Sequence, residues 1–85
     1  MKDLLDVVYV KPYTNYHLLV EFENGEKRLF DMSSLIEKQP FNKVKGSIFM
    51  AARVENGTVV WPGNIDIAPE TLYDRSSPST GKLSP

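Results

Sequence analysis

One histidine, three spaced acids and one tryptophan are the residues of this 85-residue chain with the clearest capacity for chemistry. His17 could serve as a general base or a pH-sensitive contact. No motif places a serine beside it, and there is no cysteine in the chain. Catalysis needs converging groups, so the reading favoured for His17 is a partly exposed strand residue. Asp66, Glu70 and Asp74 recur every fourth position, and on one helix face their oxygens could hold Mg²⁺ or Ca²⁺. Pro69 starts the helix, however, which leaves Asp66 in front of it and dissolves the spacing. Acids near a helix N-terminus are better explained by the helix dipole. Trp61 with Tyr73, Tyr9 and Tyr16 could line an aromatic pocket, but in so short a chain these rings are better read as core. Lys38, Lys43 and Lys45 form a weak basic patch in a connector. Gly46 and Gly63 are isolated and make no phosphate loop.

Composition narrows the field further. Hydrophobic residues make up 41% and charged residues 25%, ordinary globular values. The length allows one domain with a small core and a thin margin of stability. Without cysteine there is no disulfide and no thiolate metal site, and one histidine cannot build a histidine-rich one. No cofactor is therefore expected. A formal net charge of −1 argues against direct binding of nucleic acid. No signal peptide and no membrane-spanning run is visible, so the expected setting is the cytoplasm.

The elements that must position these residues are short. Residues 4–11 read as a strand with apolar residues on both faces, Val7 and Tyr9 against Val8 and Val10, as for a covered or central strand. Residues 12–15 form a turn, and 16–22 a second strand. Asn24-Gly25 predicts a two-residue type I′ hairpin. That loop sets Glu21 opposite Arg28, Val20 opposite Leu29 and Leu19 opposite Phe30. Asp31 is placed to cap a helix over 32–38, with Phe30 and Leu35 as its hydrophobic staple. Pro40 ends it. Residues 47–50 fit a strand or a helical turn. Asn56-Gly57 predicts a second hairpin, with Val54 opposite Val59 and Ala52 opposite Trp61. Pro62-Gly63 breaks the strand, and Pro69 opens a helix over 69–75. Serine, proline and threonine dominate 76–85, which reads as a disordered tail, and truncation after Arg75 is expected to leave the melting temperature unchanged. The expected fold is α+β: one domain over 1–75, with a small, mostly antiparallel sheet of about five strands, two hairpins and two short helices.

Two runs carry a resemblance. One is Phe22-Glu23-Asn24-Gly25 followed by Asp31. The other, more specific, is Trp61-Pro62-Gly63-Asn64-Ile65-Asp66-Ile67-Ala68-Pro69-Glu70-Thr71-Leu72-Tyr73. Over about residues 4–75 the chain resembles domain-of-unknown-function family 2442, small bacterial α+β proteins. The resemblance implies no catalytic residues. It implies that some relatives stand beside a helix-turn-helix domain, and that others form one half of a gene pair of the toxin–antitoxin kind. The residues themselves explain the second run as a folding cassette. Trp61 anchors it, Asp66 steadies the loop or helix start, and Leu72 and Tyr73 pack the helix back.

Two functions stay open. The chain is read first as a non-enzymatic protein-interaction or regulatory module whose partner is another protein or a second copy. The alternative is a small-molecule-binding or enzymatic domain that uses the Trp61–Asp66 loop. Trp61, Asp66, Glu70, Tyr73 and His17 are the candidate interaction residues.

Overall fold

The computed structural model describes residues 5–78. Among the described residues seven strands form two antiparallel sheets instead of the single sheet of about five strands expected. They are β1 (Val7–Pro12), β2 (His17–Phe22), β3 (Lys27–Asp31), β4 (Arg53–Glu55), β5 (Thr58–Trp61), β6 (Ile65–Ile67) and β7 (Ser77–Pro78). The first sheet has the order β1-β2-β3-β7, and the second the order β4-β5-β6. One helix, α1 (Pro69–Asp74), follows β6, and two 3₁₀ segments span Phe41–Val44 and Gly46–Ala51. Among the described residues no helix is long and apolar enough to cross a membrane.

Strand β2 is the spine of the first sheet. Its alternation buries Leu18, Val20 and Phe22 and leaves His17, Leu19 and Glu21 half-buried on the other face. Across the core stand Val59 and Trp61 of β5, Ile65 and Ile67 of β6, and Leu72 of α1. Met32, Ile36, Val44 and Phe49 fill the space from the long connection between the sheets.

Strand β1 is an edge, not a central strand. The pairing jumps from Val7↔Phe22 to Tyr9↔Glu21, so Val8 is the extra residue of a bulge. Val7 therefore turns into the core at 1% exposure, while Val8 and Tyr9 stand out at 54% and 48%. The apolar character of both faces has this cause. The start of β1 also links the sheets: Val7 N–H donates to the Gly57 carbonyl (2.9 Å), and the Asp6 carbonyl accepts from Glu23 N–H (2.8 Å).

Both Asn-Gly pairs make turns, of different kinds. Asn56 and Gly57 each have positive φ (53° and 78°), as a two-residue type I′ loop requires, and Val54 faces Val59 as expected. At the first hairpin only Gly25 is left-handed (φ 88°). Gly25 N–H donates to the Phe22 carbonyl, and Phe22 N–H to the Glu26 carbonyl, which makes a three-residue loop. The cause is Asn24, whose side-chain oxygen accepts from Glu26 N–H at 3.0 Å and holds the residue in a right-handed turn. The register moves by one residue. Leu18 faces Phe30, Val20 faces Arg28, and Glu21 faces Lys27, so the expected Glu21–Arg28 pair does not form.

The helix expected over 32–38 is a run of turns. Asp31 accepts from Ser33 N–H as an Asx turn (2.8 Å), and Met32 receives both Leu35 and Ile36 N–H. Two serines and the nearby Pro40 give a segment too short to propagate. Its role is to seat Met32 and Ile36 in the core. Helix α1 begins at Pro69 as expected, but Ala68 precedes it and no side chain caps it. The residues after it do not leave the domain at 75. Ser77 and Pro78 pair with Leu29 and Arg28 of β3. The rest of the expected tail, 79–85, lies outside the described residues.

Candidate functional site

Trp61 is a core residue. It is 2% exposed, and its indole N–H donates to the Phe49 carbonyl at 3.0 Å. The Phe49 and Phe41 rings lie 5.9 and 6.4 Å from it. This contact fastens the 3₁₀ segment 46–51 onto β5. Tyr16 supports the same segment from the other side. Its ring meets Phe49 edge-on at 5.0 Å, and its hydroxyl accepts from Gly46 N–H at 2.8 Å. The four rings proposed for a pocket are thus dispersed. Tyr9 is outside, and Tyr73 is engaged elsewhere.

Asp66 does not steady the start of α1. It lies on β6 opposite Val60, between the buried Ile65 and Ile67, and so points away from the core. There it borders a shallow hollow of about 260 Å³, with Arg53, Glu55 and Asn64 also on its wall. Arg53 is already paired with Glu55 at 3.2 Å. Glu70 is exposed in the first turn of α1, and neither it nor His17 borders this hollow. Among the described residues no three acids or histidines are grouped to hold a metal.

His17 faces Asp31 across β2 and β3, with Nε2 3.7 Å from Oδ2, while its Nδ1 lies 3.3 Å from the Asn15 carbonyl. Hydrogen bonds from Ser33 lower the Asp31 carboxyl below its ordinary range, and the His17 charge adds to them.

Tyr73 belongs to a network that sequence spacing did not reveal. Its hydroxyl donates to Glu26 at 2.8 Å, and Arg28 lies over its ring. Arg28 also reaches Glu26 Oε2, the Ser76 hydroxyl (2.7 Å) and the Ser76 carbonyl (3.1 Å). Tyr73 lowers the Glu26 carboxyl, with Arg28 as a lesser cause, and Glu26 in turn raises the Tyr73 hydroxyl. The signal was Arg28 itself: the observed register puts it on the inner face opposite Val20, where a cation must find partners.

The outer face of the first sheet is an ordered surface of three adjoining strands. Cross-strand partners place its side chains in three rows. Tyr9, Glu21 and Lys27 form one, and Lys11, Leu19 and Leu29 the next. Tyr13, His17 and Asp31 form the third, with Tyr13 N–H bonded to the His17 carbonyl at 2.9 Å. Leu19 and Leu29 stand side by side at the centre, with Tyr9 48% and Tyr13 37% exposed at the edge. Lys11 lies over the Tyr13 ring at 5.5 Å.

Fold and surface together define a small α+β domain built from two antiparallel sheets and one short helix. The family model described as a protein of unknown function (DUF2442) matches residues 7–78, from the first residue of β1 to the last of β7. The chain belongs to that family. No curated protein and no solved structure matches it.

Proposed function

We propose that this chain is a protein-binding module of the bacterial cytoplasm that works through the outer face of its first sheet and not by catalysis. The observation that carries the reading is the face itself. Leu19 and Leu29 make an apolar centre, and Tyr9 and Tyr13 at the β1 edge surround it together with Lys11, Glu21, Lys27 and Asp31. That is the anatomy of an interaction surface. The residues considered for catalysis are spread over three sites, and the one near a hollow, Asp66, faces an open, charged depression. A separately encoded small protein, the gene-pair arrangement implied by the family resemblance, is one partner of this kind.

The test is affinity capture with the tagged chain from a bacterial host, comparing Leu19→Lys with Asp66→Asn. Partner capture is expected to be lost with Leu19→Lys and kept with Asp66→Asn. Loss with Asp66→Asn alone would move the function to the hollow and favour small-molecule binding.

A further inference from the structure

We infer that the outer face of the first sheet binds a second copy of this chain, about a two-fold axis that runs across the strands along the row Lys11–Leu19–Leu29. The inference deepens the proposed function and rests on it, since it names the occupant of the same face. The pattern of the rows points to this occupant. An axis in the interface plane along the middle row returns each residue of that row to its own counterpart. It exchanges the two outer rows while keeping each strand over the same strand of the other copy.

Tyr9 then meets Tyr13 of the second copy, Glu21 meets His17, and Lys27 meets Asp31. These rows follow from the pairings Tyr9↔Glu21↔Lys27 and His17↔Asp31 and from the Tyr13–His17 hydrogen bond. Every acid on the face meets a base or an imidazole, and each such contact occurs twice by symmetry. Leu19 meets Leu19 and Leu29 meets Leu29 at the centre. Aligned sheets stack about 10 Å apart, within reach of both sets of side chains.

The competing axis, along β2, lacks this match. It would set Tyr9 on Lys27, Lys11 on Leu29 and Tyr13 on Asp31, with no oppositely charged contact. The one like-charge meeting under the favoured axis is Lys11 on Lys11. It falls on the edge strand, where the lysine already lies over Tyr13 and can swing outward. From strand spacing and rise the three-by-three patch measures roughly 14 by 17 Å. That is smaller than the ~800 Å² per partner of a standard interface, so the dimer is a weak and reversible one.

The experiment is analytical ultracentrifugation of the purified chain between about 10 μM and 1 mM, the range suited to an interface below standard size. The average mass is expected to rise with concentration from the 9.6 kDa of one chain toward twice that value. Leu19→Lys alone and Leu19→Glu alone should each weaken association by about tenfold or more, because the axis sets like charges on each other. Their equimolar mixture should associate again. Lys27→Glu and Asp31→Lys form a second such pair, each self-repelling and together restoring both ion pairs. This pair carries the test if circular dichroism shows that the Leu19 variants do not fold. A monomer at 1 mM, dimerisation undiminished by the single variants, or mixtures that stay monomeric would each overturn the inference. A monomer that captures a different protein in a Leu19-dependent way overturns the second copy as occupant while leaving the broader function standing.

Discussion

The Arg28 guanidinium carbon sits 4.4 Å from the centroid of the Tyr73 ring. This stacking joins the inner face of β3 to the only α-helix among the described residues. Glu26 closes the arrangement from the hairpin, and Ser76 from the bend before β7. Phe22 meets the same Tyr73 ring edge-on at 5.3 Å, so the polar cluster lies directly on the core.

The cluster makes stability depend on pH at both extremes. The Glu26 carboxyl is lowered from 4.5, chiefly by the Tyr73 hydroxyl. A lowered carboxyl contributes stability that is present above pH 4.5 and lost as the pH falls through the lowered value. The Tyr73 hydroxyl is raised from 10.0, chiefly by Glu26. Its contribution is complete below pH 10 and lost as the pH climbs through the raised value. Melting temperature measured against pH is expected to fall at both ends. Tyr73→Phe should flatten the alkaline limb and reduce the acid limb, where the lesser contribution of Arg28 remains, and Glu26→Gln should flatten both. A Glu26→Gln protein with an unchanged profile would refute the coupling.

Ending the chain after Arg75 should destabilise it, whereas ending it after Pro78 should not. Ser76 gives Arg28 two acceptors, and Arg28 is only 13% exposed. Losing acceptors for a half-buried cation costs about 1–3 kcal/mol, or roughly 5–15 °C in a domain this size. Differential scanning calorimetry of the two truncations checks this. Equal melting temperatures would mean that β7 adds nothing.

How far the sequence could be read follows from where local chemistry decides. Asn56-Gly57 gave its turn type and register because both residues take positive φ and nothing competes. Pro69 gave the start of α1 because its ring pre-sets the first helical φ. Asn24-Gly25 looked the same and was not, because a local bond from Glu26 N–H to the Asn24 side chain selected another turn. One residue of register then hid Arg28 and all three rows of the outer face. The bulge at Val8 and the added strand Ile65–Ile67 depend on partners distant in sequence, which no local pattern carries. The burial of Trp61 is legible in the sequence, whereas the place of Asp66 is not, because β6 is defined by its pairing with β5.

Gly57→Ala should cost far more than Gly25→Ala. Both glycines have positive φ, 78° and 88°, so each substitution bears a left-handed penalty of roughly 1–2 kcal/mol. A Cβ at Gly25 meets nothing within 4 Å, whereas one at Gly57 would stand 2.5 Å from Asp6 Cγ. Asp6 accepts from Glu23 N–H, and Gly57 from Val7 N–H, so displacing either disturbs the link between the sheets. Urea denaturation is expected to rank Gly57→Ala well below Gly25→Ala. Equal stabilities would show that Asp6 yields freely.

Trp61→Ala should be among the most damaging single changes, and Trp61→Phe shows how its effect divides. Truncating a buried large aromatic costs about 3–5 kcal/mol, comparable to the whole stability of a small domain. Phe41 would lose a ring contact, Phe49 would keep only Tyr16, and the segment Gly46–Ala51 would lose its anchor on β5. Trp61→Phe keeps an aromatic against both rings but removes the indole N–H, leaving the Phe49 carbonyl without that donor. That carbonyl still accepts from Ala52 N–H (3.3 Å), so the cost is that of one hydrogen bond, about 0.5–1.5 kcal/mol. Thermal unfolding followed by far-ultraviolet circular dichroism should therefore place Trp61→Phe between the parent chain and Trp61→Ala. Trp61→Ala is expected to be largely unfolded at 25 °C. A Trp61→Ala protein with the parental melting temperature would contradict an anchor at this position, because a side chain 2% exposed has no surface role through which its loss could be absorbed.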